Sequence, residues 1–266
     1  MLTRAIVRPP GANYADGLTR VDLGVPDYER ALQQHAAYCD ALERCGLELT
    51  RLEADERFPD STFVEDTAVL IRDVKEGSAT SQAAVAILTR PGALSRAGEV
   101  ESTRATLAQF CPRYHSIVAP GTLDGGDICE AGNHFFIGIS ERTNADGAAQ
   151  LADLVSSYGY SSSFVDVGDV KNILHLKSGL AYLGDHRLVV IDALRSRKEF
   201  RDYELVAVNA DEYAANCVRV NDYVLVAAGY PEFARSLQDL DYKTIVLEMT
   251  EFQKMDGGLS CLSLRF

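Results

Sequence analysis

The chain has 266 residues, 47% hydrophobic and 24% charged, and its 26 Lys and Arg against 39 Asp and Glu leave a net charge of −13. That length fits one large globular domain or two small ones. The negative balance argues against a phosphate-backbone partner such as nucleic acid and favours a cationic small molecule. Taken in order, Ala5-Ile6-Val7 reads as a short strand, and the Gly- and Asp-rich stretch from Gly11 to Gly24 reads as a loop. Pro26 to Cys45 reads as a helix: Asp27 and Glu29 sit early, Tyr28, Leu32, Ala36, Cys39 and Leu42 space out one face, and Gly46 ends it. Leu47 to Leu52 alternates as a strand.

From there a unit of strand, strand, helix, strand recurs. The first is Thr67 to Ile71, Ala84 to Thr89 after a polar connection from Asp73 to Gln82, a helix Leu94 to Phe110, and a strand Ser116 to Val118. The second is Ile128 to Glu130, His134 to Ile139, helix Asn144 to Ser157 and strand Ser163 to Val167. The third is Gly179 to Leu183, Leu188 to Ile191, a helix near Arg195 to Tyr203 and strand Glu204 to Val208. The fourth is Val218 to Val220, Tyr223 to Ala227, helix Pro231 to Leu240 and strand Thr244 to Leu247. Gly257-Gly258 then signals a turn, and alternation from Leu259 through Cys261 predicts a strand running to Phe266.

That last strand, joined to the N-terminal strand, helix and strand, makes a fifth unit. Five such units predict a closed α/β ring whose two chain ends share one blade, which leaves no open sheet edge. An open α/β sheet with the same element order is the alternative.

Each unit is entered through polar residues: Glu65 and Asp66, Asp124 and Asp127, His175, Asn216, and Cys261. In a closed ring these positions converge at one end of the axis. Carboxylates in a pocket suit a guanidinium, whose N–H donors match them in pairs. A cysteine nucleophile with a histidine proton carrier suits attack on the guanidinium carbon. Nearby carboxylates oppose a second negative charge, so a neutral resting thiol is expected. Each residue also has a plainer reading: Asp124-Gly125-Gly126-Asp127 as a turn, His175 as a buried hydrogen-bonded imidazole, Cys261 as a small buried hydrophobe.

The six cysteines, at positions 39, 45, 111, 129, 217 and 261, show no Cys-x-x-Cys and are sparse for a disulfide scaffold. Cys111 and His115 have metal-like spacing but stand as an isolated pair, short of the four ligands a structural zinc site needs. The first ten residues lack a signal-peptide apolar core, and no apolar run approaches a membrane span. A soluble, cytoplasmic protein is expected.

Several stretches taken together resemble the dimethylarginine dimethylaminohydrolase family, part of the guanidino-modifying superfamily with arginine deiminase and the amidinotransferases. They are Asp16-Gly17-Leu18-Thr19, Phe58 to Asp66, Thr89-Arg90-Pro91-Gly92, Gly121 to Asp127, Glu141-Arg142-Thr143-Asn144, Leu174-His175-Leu176-Lys177, Ala214-Ala215-Asn216-Cys217 and Asp256 to Cys261. They cover nearly the whole chain in order.

The resemblance implies a single five-bladed α/β propeller (pentein) domain over residues 1–266. It implies Cys261 as nucleophile, His175 as general acid/base, and Asp66 and Asp124 holding the guanidinium, with Glu65 and Phe63 shaping the pocket. It gives Arg90 and Arg142 the substrate carboxylate, and gives Asp60 and the backbone carbonyls of Leu18 and Met255 the α-amino group, under a lid formed by the loop around Leu18. Asp124 stands where some relatives have Glu, which shortens its reach. The implied reaction is hydrolysis of Nω-methylated arginine to citrulline and a methylamine, without organic cofactor or metal; zinc on Cys261 would inhibit. The alternatives are a deiminase or amidinotransferase acting on arginine or agmatine, and a non-catalytic arginine-binding protein. The oligomeric state stays open between a monomer and a homodimer.

Overall fold

A computed structural model describes residues 1–72, 84–208 and 212–266. The expected polar connection from Asp73 to Gln82 lies outside the described residues. The described strands are β1 (Arg4–Val7), β2 (Glu48–Arg51), β3 (Ala68–Arg72), β4 (Ala84–Leu88), β5 (Arg113–Ser116), β6 (Ile128–Ala131), β7 (His134–Ile139), β8 (Ser161–Asp166), β9 (Leu180–Gly184), β10 (Arg187–Ile191), β11 (Glu204–Val208), β12 (Val218–Val220), β13 (Tyr223–Ala227), β14 (Lys243–Leu247) and β15 (Ser263–Arg265). The α-helices are α1 (Tyr28–Arg44), α2 (Glu99–Leu107), α3 (Ala145–Ser157), α4 (Pro231–Asp239) and α5 (Thr250–Gln253).

Among the described residues the strands form five three-stranded sheets: β15-β1-β2, β3-β4-β5, β6-β7-β8, β9-β10-β11 and β12-β13-β14. Each has one antiparallel and one parallel pairing. In the second sheet, Val69 of β3 faces Ile87 of β4 in antiparallel register, and Ile87 runs parallel beside His115 of β5. The first sheet repeats this with the chain ends, Ile6 of β1 facing Leu264 of β15.

Buried apolar clusters join each sheet to the next. Ile6 and Leu264 of the first sheet pack with Ala86 and Leu88 of the second, and Val69 and Val85 of the second with Ile128 and Phe135 of the third. Phe136 of the third packs with Leu180 and Val189 of the fourth and Val224 of the fifth, and Leu225 of the fifth meets Ala5 and Val7 of the first. The five sheets therefore close into a ring, an α/β propeller, which decides against the open sheet. The five inner strands β3, β6, β9, β12 and β15 surround a central cavity of about 430 Å³, touched by Val69, Cys129, Ala181, Val218 and Ser263.

Local sequence explains α1. The Asp27 side chain accepts the Arg30 N–H at 2.9 Å and caps α1, a contribution of about 1 kcal/mol. Ala31, Tyr38 and Leu42 then bury one face, and Gly46, at φ 91, turns the chain out of the helix.

Four expectations need correction. The crossover from β10 to β11 is not a helix but two 3₁₀ turns, Asp192–Leu194 and Lys198–Phe200. Its only strong apolar anchors, Leu194 and Phe200, are spaced too far apart for one helical stripe, and each plugs the core separately. The expected Leu94 to Phe110 helix divides into a 3₁₀ turn Leu94–Arg96 and the shorter α2, with Gly98, packed against the Phe58 ring, at the junction. The strand placed at Ser116 to Val118 lies earlier, at Arg113–Ser116, where it pairs with β4. Finally, the C-terminal strand spans only Ser263–Arg265; Cys261 sits in the turn before it, and α5 was not foreseen.

Candidate active site

Four of the inner strands begin from a single 3₁₀ turn: Val64–Thr67, Gly125–Asp127, Leu176–Ser178 and Glu212–Ala215. The fifth, β15, begins from the turn at 258–262. These entrances meet at one end of the ring, as the repeat pattern predicts. The Glu65 N–H donates to the Cys261 carbonyl at 3.2 Å. The Gly126 N–H donates to Asp66 Oδ1 at 2.8 Å. A carboxylate oxygen from each of Asp66 and Asp124 and a ring nitrogen of His175 lie within 4.8 Å of one another. Glycine at 126 is required by the crowding, since a Cβ there would stand 2.6 Å from His175 Nδ1.

His175 Nε2 lies 3.0 Å from Asp124 Oδ2, and Asp124 Oδ1 accepts the Gly92 N–H at 2.9 Å. Both Asp124 oxygens are therefore engaged, one by the imidazole and the other by a backbone N–H that anchors the carboxylate. The structure thus places Asp124 against His175 and outside the lining of the cleft, whereas the expectation set it against a guanidinium. Asp127 braces the same segment: its carboxylate accepts from Ser140 Oγ at 2.7 Å, Thr143 Oγ1 at 2.6 Å and the Leu176 N–H at 2.9 Å.

Asp66 and Glu65 are held by cations. Arg96 Nη1 lies 2.6 Å from Asp66 Oδ2, and its remaining nitrogens reach Glu99 and the carbonyls of Asp60 and Phe63. Glu65 Oε1 lies 2.6 Å from Lys177 Nζ and 3.1 Å from Arg265 Nη2. Glu65 lines the central cavity and not the cleft, whereas the expectation had it shaping the substrate pocket.

The protonation states follow from this charge. Burial would push the His175 imidazole down, but the carboxylates of Asp66, Asp127 and Asp124 outweigh it and raise it to about 9. Burial, with the Glu65 and Asp66 carboxylates, pushes the Cys261 thiol up to about 12. For Asp66 burial acts upward, yet His175 and Arg96 together hold it down at about 2. The resting arrangement is thus an imidazolium beside a neutral thiol and an ionised Asp66. All six cysteines are free, and only Cys261 is not fully buried.

Cys261, His175, Asp66, Asp60, Phe63, Leu18, Met255 and Arg142 all line one narrow cleft with about 20 Å³ of free space. Arg142 Nη1 is buried there and has no hydrogen-bond partner among the described residues. Arg90 is placed differently: its backbone bridges to Leu123, its Nη1 donates to the Gly121 carbonyl at 3.2 Å, and it does not line the cleft. Burial raises the Asp60 carboxyl despite the nearby Arg96. The loop at 18–20 crosses the mouth. The Leu18 N–H, not its carbonyl, reaches Asp60, at 3.0 Å; Thr19 Oγ1 donates to the Lys254 carbonyl at 3.0 Å; and Arg20 pairs with Glu141.

Sequence reasoning missed Arg96, Lys177 and Arg265. Arg265 carried a signal, since it shares strand parity with Ser263 and Cys261. Lys177, two residues past His175, carried a weaker one. Arg96 carried none, because a lone arginine before a helix reads as surface.

No family model matches the chain. It is 44% identical over 268 residues to the N(G),N(G)-dimethylarginine dimethylaminohydrolase of Pseudomonas aeruginosa, covering 100% of each chain. Among solved structures it is similar to a cysteine-to-serine variant of the Pseudomonas aeruginosa enzyme complexed with citrulline, with a TM-score of 0.93 at 42% identity and 100% coverage of both chains. It is also similar to a dimethylarginine dimethylaminohydrolase in adduct with S-methyl-L-thiocitrulline, with a TM-score of 0.92 at 42% identity and 100% coverage of both chains.

Proposed function

The chain belongs to the dimethylarginine dimethylaminohydrolase family, and on that premise we propose that it hydrolyses Nω-methylated arginine to citrulline and methylamine or dimethylamine. The observation that carries the reading is the composition of one cleft. It joins the one incompletely buried thiol, two carboxylates fit for cations, and a guanidinium nitrogen of Arg142 left free for an anion. A free α-amino acid with a cationic side chain presents the complementary charges.

In this reading the substrate guanidinium lies against Asp66, and its arrival favours loss of the Cys261 proton to solvent. The thiolate attacks the guanidinium carbon and gives a neutral tetrahedral adduct. The His175 imidazolium donates its proton to the methylated nitrogen, the C–N bond breaks, and the amine departs. An S-alkylthiouronium cation remains on Cys261. Neutral His175 then takes a proton from water as its oxygen adds to the same carbon. The C–S bond breaks, the thiolate returns, the oxygen's second proton goes to solvent, and citrulline is released. Asp124 holds the imidazole in orientation throughout. We assign Asp60, with the carbonyls of Leu18 and Met255, to the α-amino group and Arg142 to the carboxylate; Arg90 acts on that region only through its backbone neighbours.

We read residues 1–266 as one domain, supported by the shared sheet of the two chain ends. No helix among the described residues is long and apolar enough to cross a membrane, and the six free thiols support a reducing cytoplasmic setting. The test is a steady-state panel of asymmetric dimethylarginine, monomethylarginine, arginine and agmatine, with citrulline and amine both assayed. Methylated arginines should turn over at least tenfold better than arginine. Preference for arginine or agmatine would assign a deiminase instead.

A further inference from the structure

Four of the five ring entrances supply the site with a charge, a proton carrier or a nucleophile. The remaining one supplies Asn216, and the mechanism above gives it nothing to do. Asn216 is buried, 6% exposed, directly behind the nucleophile turn. Its Oδ1 accepts the Ser260 N–H at 3.1 Å. Its Nδ2 donates to the Lys177 carbonyl at 3.0 Å and reaches Ser260 Oγ at 3.3 Å. One amide therefore bonds the residue before Cys261 and the segment two residues past His175. The fit is tight, since a Cβ on Gly258 would stand 2.3 Å from the Asn216 amide. Tyr213, one turn earlier, adds a bond from its hydroxyl to the Gly257 carbonyl at 2.9 Å.

The imidazole is fixed from the far side by Asp124, and Glu65 bonds the Cys261 carbonyl from the first entrance. We propose that Asn216 is a positioning residue that sets Cys261 against His175 by tying their backbone segments to a single amide. The inference rests on the hydrolase reading. It predicts a defect in the chemical steps, because a displacement of about 1 Å at reacting groups costs on the order of a hundredfold in rate. It predicts little change in substrate affinity, because Asp60 and Arg142 lie elsewhere in the cleft.

The experiment compares wild type with Asn216→Ala and Asn216→Asp on asymmetric dimethylarginine. Asn216→Ala removes all three side-chain bonds. Asn216→Asp keeps the shape and the Ser260 bond but sets an oxygen against the Lys177 carbonyl, so it serves if the alanine variant does not fold. Competent sites are counted by the citrulline formed in a single turnover. The expected result is a kcat per competent site lower by about thirtyfold or more for alanine and tenfold or more for aspartate, with KM within threefold of wild type. A kcat per competent site within threefold of wild type in a folded variant overturns the proposal. So does a KM rise as large as the fall in kcat, which would mean that the amide only shapes the cleft. Wild type inactive on methylarginine would instead defeat the hydrolase reading itself.

Discussion

Arg96 Nη1 lies 2.6 Å from Asp66 Oδ2, and both side chains are buried. The protein thus keeps a guanidinium of its own on the carboxylate we propose for the substrate's. The pair holds Asp66 ionised and fixes its rotamer before any ligand arrives. Glu99, on the other side of Arg96 at 2.8 Å, is pushed up to about 7 by burial even with that cation beside it, so the cluster depends on Arg96 for its balance.

Replacing Arg96 by Met should therefore destabilise the fold, because it strands buried carboxylates. Breaking a buried pair from one side costs about 3–5 kcal/mol, which is a fall of roughly ten degrees in Tm for a chain of this size. Thermal denaturation of Arg96→Met checks this. A Tm within about two degrees of wild type would mean that the carboxylates simply take up protons at little cost.

The ring was legible because its signals are local and repeat. Paired strands with turns at Gly132-Asn133 and Asn221-Asp222 and caps such as Asp27 and Asn144 each leave a mark within a few residues. The entrances followed from the repeat, so Cys261, His175, Asp66 and Asp124 could be brought together without coordinates. What stayed hidden depends on which way a long side chain turns. Arg90 and Arg142 look alike in sequence, yet one donates to the Gly121 carbonyl, while the other lines the cleft with a buried nitrogen that has no partner among the described residues. Arg96 was invisible as a site residue, and Lys177 nearly so, because a charged residue reads as solvated until the fold shows it buried against a carboxylate.

That difference between the two arginines separates their variants. Charge-assisted bonds to a carboxylate are worth roughly 1.5–3 kcal/mol, so Arg142→Ala should raise KM about ten- to a hundredfold with a smaller effect on kcat. Arg90→Ala should raise KM less. Steady-state kinetics of both variants decide it. Equal KM effects would place the Arg90 guanidinium on the substrate as well.

The resting thiol should be hard to ionise, because burial and the Glu65 and Asp66 carboxylates push Cys261 up to about 12. With the other cysteines substituted, the pH dependence of Cys261 alkylation should give an apparent pKa above the free value of about 8.5. Positively charged electrophiles should inactivate faster than neutral ones. A clearly acidic thiol in the empty enzyme would mean that the His175 imidazolium outweighs the carboxylates.

His175 also ties stability to pH. Its folded value, about 9, lies above the ordinary 6.5, so its contribution is fully present below about pH 6.5 and is lost as pH rises through 9. The amount is of order 3 kcal/mol. Wild-type Tm should fall between pH 6.5 and 9, and His175→Asn should show a flatter profile over the same window. Parallel profiles would remove His175 as the cause.

The most direct test of the account is the covalent intermediate on Cys261. Wild-type enzyme quenched in acid during turnover of asymmetric dimethylarginine should show, by peptide mass spectrometry, a single S-alkylthiouronium adduct on the peptide containing Cys261. Cys261→Ser should bind the substrate, carry no adduct and release no citrulline. An adduct on any other cysteine, or Cys261→Ser turnover within about tenfold of wild type, would contradict the assignment of the nucleophile and the mechanism built on it.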